Sequence, residues 1–283
     1  MKFVDPKTDI AFKKIFGNQA HKNILIEFLN ELLELEYAIA DVTISNAYQP
    51  PRLEGLKETT LDIKAKDTSG REFIVEMQVE KEIAFYKRAI YYSSKAYSQQ
   101  LDKTEKYHLL KPVIFLGILD FCIFEHQAAC SRHLILNTEN QSHDLKDLEF
   151  NFIELPKFTK QEHELQSVSD KWLFFIKNAD NLDHIPEHAD TIALQQAYQM
   201  AQQHCWTREE LDVYDYQGLQ LGKTRGIIET AHIEGRLKGQ LEGKLEGKLE
   251  VAKNLLAVLD DDSIAKVTGL ELAAITALRN ATE

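Results

Sequence analysis

Two stretches of alternating polar and apolar residues mark the first third of the chain. Residues 59–67 (TTLDIKAKD) and 71–80 (REFIVEMQVE) both alternate with a period of two, which predicts strands that each have one buried face. Residues 67–70 between them (DTSG) are turn formers. The pattern therefore predicts a β-hairpin.

Residues two apart on a strand share a face, so the hairpin should have one polar and one apolar face. The polar face carries Asp62 and Lys64 of the first strand, and Ile74, Glu76 and Gln78 of the second. The apolar face carries Leu61, Ile63 and Ala65, then Phe73, Val75, Met77 and Val79. We expect the apolar face to pack on a core and the polar face to line a cleft.

The carboxylates of Asp62 and Glu76 are the main candidates for chemistry. A turn centred on Ser69 pairs these two residues directly, with Cβ atoms about 4.5 to 5.5 Å apart. Two carboxylates at such a short distance repel each other unless a cation lies between them, and hard oxygen ligands suit Mg²⁺ or Mn²⁺. Such an ion could support phosphodiester hydrolysis, with Gln78 directed at the ion or its water. Lys64 or Lys66, on the same face, could neutralise charge or contact the backbone of the substrate. The alternative is a pair of solvated acids on an exposed sheet face.

Periodicity and turn residues divide most of the remaining chain into further elements. Apolar residues at helical spacing predict a first helix stopped by Gly17 and a second over residues 21–35. Strands are expected at 41–48, 133–136, 149–155 and, as an apolar run buried on both faces, at 112–118. Residues 82–103 and most of 161–216 should be helical.

The C-terminal part has a pattern of its own. Glycines recur every fourth residue, at 218, 222 and 226 and again at 235, 239, 243 and 247, with leucines in step from Leu237 to Leu249. Each interior glycine costs about 1 kcal/mol relative to alanine, so we expect a marginal, dynamic helix that serves as a tether or for self-association. Two short helices should follow, broken at Thr268 and Gly269, with Ser263 as a cap for the first.

Composition and charge restrict the function classes. The 283 residues carry a net charge of −12, and residues 121–283 hold 16 basic against 27 acidic side chains, whereas residues 1–120 hold 17 against 18. Since an acidic surface repels nucleic acid, the first 120 residues are the better place for a polyanion. Apolar runs are too short to cross a membrane, a signal-peptide pattern is lacking and three cysteines indicate no disulfide framework, so we expect a cytoplasmic protein.

The order of these elements resembles the Rpn family of recombination-promoting nucleases and putative transposases, within the PD-(D/E)XK superfamily. The matching segments are TDIAFKKIFG at 8–17, LDIKAKD at 61–67, FIVEMQ at 73–78, RAIYYSSKAYSQQL at 88–101 and KPVIFLGILDF at 111–121, followed by IELPKF at 153–158 and DKWLFFIK at 170–177. The resemblance implies an α/β fold, with a restriction-endonuclease-like core of a mixed sheet flanked by helices and an all-α C-terminal extension. It implies a nuclease-like domain over 1–158, a helical extension over 159–216, the glycine-spaced tail over 217–258 and a short helical hairpin over 259–283.

The resemblance also assigns roles to residues. Asp62 and Glu76 match the acids of the motif, and Gln78 stands where the motif has lysine. Lysine can activate water and stabilise negative charge, whereas glutamine can only orient the water, so Arg88 or Lys87 on the next helix could supply the missing charge. Asp9 matches a third acid, although it could instead cap the helix at Ile10.

The function implied is a Mg²⁺- or Mn²⁺-dependent DNA endonuclease of low sequence specificity, linked to recombination or mobile elements. Its catalytic residues would be Asp62, Glu76, Gln78 and Asp9, and its substrate contacts would be Lys13, Lys64 and Arg88. The alternative functions are a catalytically weak binding module for DNA or protein, and a homo-oligomer assembled through the glycine-spaced helix.

Overall fold

A computed structural model describes residues 2–45, 48–49, 59–82, 84–101 and 106–281. Contacts between elements divide the chain into two units, residues 1–218 and residues 219–283. Residues 46–47 of the predicted strand over 41–48, and parts of the predicted helix over 82–103, lie outside the described residues.

The first unit is built on a mixed sheet of six strands in the order β1-β4-β5-β6-β8-β7, and β2 pairs with β3 separately. In chain order the strands are β1 (Val42–Ser45), β2 (Tyr48–Gln49), β3 (Thr59–Thr60), β4 (Ile63–Asp67), β5 (Glu72–Gln78), β6 (Val113–Leu119), β7 (Cys130–Leu134) and β8 (Leu148–Glu154). The strands β5, β6 and β8 run parallel, and the outer pairs are antiparallel. The predicted fold class is confirmed: a mixed sheet is flanked by helices and followed by a helical C-terminal region.

The predicted hairpin is formed by β4 and β5. Ile63 pairs with Val75 and Lys66 with Glu72, so the register is centred on Ser69 as expected, and the next step along it places Asp62 opposite Glu76. Asp67 fixes the turn because its Oδ1 accepts the N–H groups of Ser69 and Arg71, both at 2.9 Å. Gly70 has a φ of +91°, a conformation that favours glycine.

Eight α-helices complete the described chain. They are α1 (Asp9–Phe16), α2 (Lys22–Leu32), α3 (Phe85–Ser98), α4 (Val168–Asn178), α5 (Ile192–Ala201), α6 (Arg208–Leu255), α7 (Asp261–Thr268) and α8 (Leu272–Asn280). The first helix ends at Gly17 as predicted. The second ends earlier than predicted because Leu33 is already extended, with φ −107° and ψ 135°.

Apolar side chains cover the sheet on both faces, which corrects the expected two-faced hairpin. On one face Ile63 and Val75 share a core with residues of α1, α2, α4 and α5. On the other face Leu61 and Ile74 pack with Phe85 and Ala89 of α3. Leu61 was placed on the wrong face because a bend at Asp62 breaks the alternation before β4 begins. The polar face is therefore closed at Ile74 and does not line an open cleft along its whole length.

The C-terminal elements are helical, and α6 runs through Gly218 without interruption. Asp260, rather than Ser263, caps α7: its carboxylate accepts the Ser263 N–H at 2.8 Å. Gly269 ends this helix with a φ of +63°. Throughout the described chain, no helix combines the length and the apolar character that crossing a membrane requires.

Candidate functional site

Asp62 and Glu76 are joined by two hydrogen bonds at the open end of the hairpin. The Asp62 N–H donates to Glu76 Oε1 at 3.0 Å, and Asp62 Oδ2 accepts the Met77 N–H at 2.8 Å. Glu76 is 5% exposed, and the Asp62 side chain is 18% exposed. The bend at Asp62 and the strand β5 thus hold two carboxylates together under little solvent.

The electrostatics of this pair are unfavourable without a cation. Burial, and after it the charge of Asp62, raise the pKa of Glu76 to about 8, against the opposing effects of the Asp62 N–H and the charge of Arg88. Burial also raises the pKa of Asp62, while the Met77 N–H and the charge of Lys13 act in the opposite direction. Both shifts indicate a place where negative charge is poorly solvated.

Lys13 connects Asp9 to the acid pair. Its Nζ lies 2.5 Å from Asp9 Oδ1, one turn earlier on α1, and 3.5 Å from Asp62 Oδ1. Burial alone would lower the pKa of Lys13, but the hydrogen bond and charge of Asp9, with those of Asp62, raise it. Asp9 does not cap α1, because it is the first residue of the helix and Thr8 stands at the cap position; the Ile10 N–H beside it donates to Gln217 Oε1 at 3.2 Å.

Gln78 is held by Arg88 of α3. Its Oε1 accepts from Arg88 Nη2 at 2.6 Å, and its Nε2 donates to the Glu80 carbonyl at 3.0 Å. The other terminal nitrogen of Arg88 donates to Glu82 Oε2 at 2.5 Å, and the guanidinium lies 4.7 Å from the Phe85 ring centroid. Gln78 and Arg88 therefore form one rigid polar group beside the acid pair.

With this geometry established, comparison with known proteins identifies the family. A model of the PD-(D/E)XK nuclease family transposases matches residues 6–221. The chain belongs to that family. No curated protein and no solved structure shows a significant match.

Members of the PD-(D/E)XK nucleases generally use divalent metal ions, and the donor set fits such an ion. Among the described residues, no three His, Cys, Asp or Glu side chains converge as a closed metal site. Mg²⁺ seldom needs such a cage, because it keeps several waters and is held by one or two carboxylates together with phosphate oxygens. The pair of Asp62 and Glu76, both with a raised pKa, meets that requirement.

Not every residue predicted for the site is brought to it. Asp62, Glu76, Gln78, Lys13 and Arg88 gather at the end of the hairpin, and Asp9 joins them through Lys13. Lys64 does not, because its Nζ lies 2.9 Å from Glu72 Oε2, towards the turn of the hairpin.

Two residues near the site were missed in the sequence. Glu82 binds Arg88; it was expected only as the first residue of the predicted helix over 82–103, but it lies before α3, and a spacing of six residues is not a helical contact. Asp120 directly follows β6, and its N–H donates to the Gln78 carbonyl at 3.0 Å. An acid that ends a buried strand parallel to β5 was a readable signal for this edge of the sheet.

Proposed function

We propose that this protein is a cytoplasmic, metal-dependent DNA endonuclease that hydrolyses phosphodiester bonds with low sequence specificity, in recombination or the movement of mobile elements. The observation that carries the proposal is the buried pair of Asp62 and Glu76 at the end of the hairpin, in a chain of the nuclease family. A pair of acids that resists ionisation alone is suited to binding a divalent cation.

Each residue of the site has a proposed role. Asp62 and Glu76 hold Mg²⁺ or Mn²⁺, which when bound would polarise a phosphoryl oxygen and acidify a water molecule. Gln78, whose amide is held by Arg88 and the Glu80 carbonyl, orients the attacking water. Asp9 acts on the site through Lys13, as the chain of contacts from Asp9 to Asp62 supports.

Substrate contacts are proposed on both sides of the acid pair. Lys13 is 38% exposed at its side chain and Arg88 24%, so both can approach a DNA backbone. Lys64 is a weaker candidate because Glu72 already engages it.

Isosteric substitutions test the catalytic assignment. Asp62→Asn and Glu76→Gln keep an acceptor for each backbone N–H but remove the charge, so the folded variants should cleave supercoiled plasmid at least about 100-fold more slowly in Mg²⁺ or Mn²⁺. Asp41→Asn is the control, since Asp41 pairs with Lys22 on the surface. If either site variant cleaves like the wild type while its circular dichroism is unchanged, the site is wrongly assigned.

A binding module without efficient catalysis is the second candidate. The glutamine at position 78 favours it, because its amide cannot supply the charge that a lysine would. A wild-type protein that binds plasmid DNA yet leaves it intact in both Mg²⁺ and Mn²⁺ would establish this function instead.

We also propose that the tail makes the protein a homo-oligomer. Leu237, Leu241 and Leu245 of α6 are 52%, 69% and 51% exposed and recur every fourth residue. A row of leucines left in water favours burial against a second copy.

A further inference from the structure

Lys13 lies on α1, whereas the acid pair of Asp62 and Glu76 lies on the hairpin. The helix α1 places its ammonium 3.5 Å from Asp62 Oδ1 and 2.5 Å from Asp9 Oδ1. An ion pair between residues four apart on one helix would need only Asp9. The additional contact with Asp62 crosses from α1 to the hairpin, so local helix geometry does not account for it.

Arg88, the other cation beside the site, is fixed in place. Its terminal nitrogens donate to Glu82 and Gln78 at 2.5 and 2.6 Å, and its Nε is buried against the protein. Its planar group also packs over Phe85. Moving it would break two charge-assisted hydrogen bonds, which are the stronger kind. Arg88 therefore positions Gln78 and is not free to exchange at the acid pair, although its exposed part can still face a DNA backbone.

Lys13 differs from Arg88 in both exposure and freedom. Its side chain is 38% exposed, and a flexible stem of four methylenes allows its ammonium to move by several ångströms. A divalent cation held by Asp62 would bring positive charge close to the Lys13 ammonium, which lies 3.5 Å from Asp62 Oδ1 and would then be repelled.

We propose that Lys13 is the exchangeable cation of this site and the residue that supplies the charge missing at Gln78. In the metal-free protein its ammonium neutralises Asp62. When a divalent cation occupies the acid pair, Lys13 leaves Asp62, stays tethered to Asp9, and contacts a non-bridging oxygen of the scissile phosphate. The assignment rests on the proposed nuclease function and names the residue that takes the place of the lysine of the motif.

If Lys13 both competes with the metal ion and contacts the phosphate, removing its charge should strengthen metal binding and slow cleavage. Lys13→Gln removes the competing charge, so the full-length variant should bind Mn²⁺ about five- to tenfold more tightly than wild type, measured by electron paramagnetic resonance of free Mn²⁺. The same variant should cleave plasmid DNA about 100-fold more slowly at saturating Mn²⁺, because the transition state loses a positive contact. A residue that only supports the fold would not tighten metal binding while slowing cleavage.

Lys14→Gln is the matched control. It removes the same charge from the adjacent position of α1, but Lys14 binds Glu210 at 2.6 Å and lies over the Trp206 ring at 4.4 Å, away from the acid pair. Its Mn²⁺ affinity and saturated cleavage rate should stay within about twofold of wild type, since its charge is paired with Glu210 and makes no contact with the acid pair.

Lys13→Arg keeps the charge and provides a second variant should Lys13→Gln fail to fold. It should bind Mn²⁺ like wild type and cleave at a rate between those of wild type and Lys13→Gln. If Lys13→Gln does not fold, Asp62→Asn replaces it as the slow variant in this comparison. Three results would each overturn the proposal: Lys13→Gln binds Mn²⁺ no more tightly than wild type, Lys13→Gln cleaves at the full rate, or Lys13→Arg does not cleave.

The wild type distinguishes this failure from that of the proposed function. If the wild type itself neither binds Mn²⁺ nor cleaves, the nuclease function fails, and this assignment with it. If the wild type does both and Lys13→Gln behaves like Lys14→Gln, only the role of Lys13 fails.

Discussion

Glu76 is a carboxyl group placed where ionisation is opposed from two sides. It is 5% exposed, lies in β5 between Val75 and Met77, and faces the second acid, Asp62. Its Oε1 receives one backbone N–H at 3.0 Å, which stabilises a charge only in part. Without a bound cation, Glu76 has a pKa of about 8 and is therefore mostly protonated below that pH.

This raised pKa predicts that the metal-free protein loses stability as the pH rises. An unfolded glutamate releases its proton near the ordinary value of 4.5, whereas folded Glu76 keeps it up to about 8. Between these values the folded chain holds the extra proton, so rising pH favours unfolding. Glu76→Gln should abolish that part of the loss, on the order of 2 kcal/mol in the free energy of unfolding between pH 5 and pH 8.5. Urea titrations in EDTA at both pH values measure it.

An exposed glutamate provides the control for this measurement. Glu36→Gln changes a residue whose side chain is 64% exposed, so its pH dependence should follow that of the wild type. Equal pH dependence in wild type and Glu76→Gln would show that Glu76 ionises normally. Added Mn²⁺ should restore the stability of the wild type at pH 8.5 and have little effect on Glu76→Gln, because the cation replaces the proton between the two acids.

How far the site was predictable differs from residue to residue. Asp62 and Glu76 could be paired from alternation and the centre of the turn, since these are local rules. The spacing of Asp9 and Lys13 likewise predicts their contact, one turn apart on α1. The contact between Lys13 and Asp62 could not be predicted, because it joins α1 to the hairpin and depends on how the helix packs on the sheet.

At the scale of elements, the hairpin and its neighbours followed from pattern, and the exceptions arise from tertiary structure. The buried run at β6 was predictable because a central parallel strand is apolar on both faces. The bend at Asp62 was not, since the alternation continues through it in the sequence. That bend turns Leu61 towards α3 and lets the Asp62 carboxylate reach the Met77 N–H of the neighbouring strand.

The helix α6 is predicted to be weakened by its own glycines. A Cβ added at Gly239 or Gly243 meets nothing within 4 Å, and the glycines lie about 200° around the helix from leucines two residues away. The double substitution Gly239→Ala and Gly243→Ala should therefore stabilise the helix by about 2 kcal/mol. Thermal melting followed by circular dichroism at 222 nm would show this, and the mass from light scattering should not change.

Substitutions in the leucine row, on the opposite side of α6, should instead change the mass of the protein in solution. Leu241→Gln with Leu245→Gln should reduce the mass to that of one chain, because these side chains are exposed within a single copy. Ile192→Gln, which changes a 74% exposed residue of α5, is the control. If the glycine variant dissociates instead, the contact between copies runs through the glycines. A wild type with the mass of one chain would refute self-association altogether.

At the scale of the molecule, the acidic excess lies in the first unit. Residues 1–218 hold 24 basic and 35 acidic side chains, a balance of −11, whereas residues 219–283 hold 9 and 10, a balance of −1. Residues 219–283 are thus nearly neutral, and most of the acidic excess lies between positions 121 and 218, which hold 7 basic and 17 acidic side chains. DNA would have to be drawn by local cations such as Lys13 and Arg88 against the overall charge, which makes cleavage dependent on low salt.

The division of the chain at Gly218 predicts which fragment carries the nuclease unit. Trp172 and Phe175 of α4 share the core with Phe16 and Phe28 of the first two helices, so the helical segment after β8 must be retained. The Tyr214 hydroxyl accepts the Asp5 N–H at 2.9 Å, and Gln217 accepts the Ile10 N–H beside Asp9. A fragment of residues 1–218 should therefore fold in one cooperative transition and keep its metal-dependent cleavage.

A second fragment, residues 1–211, isolates the contribution of those last contacts. It keeps the ion pair between Lys14 and Glu210 but loses the bonds to Asp5 and Ile10, worth about 2 kcal/mol together. Calorimetry should place its melting temperature roughly 4 to 8 °C below that of residues 1–218, and its cleavage should fall because the start of α1 positions Asp9 and Lys13. A third fragment, residues 1–216, keeps the bond from Asp5 to Tyr214 but loses the bond from the Ile10 N–H to Gln217. Its melting temperature should therefore lie between those of the other two fragments. Identical melting of all three fragments would show that α6 does not support the site, and failure of residues 1–218 to fold would place the division of the chain elsewhere.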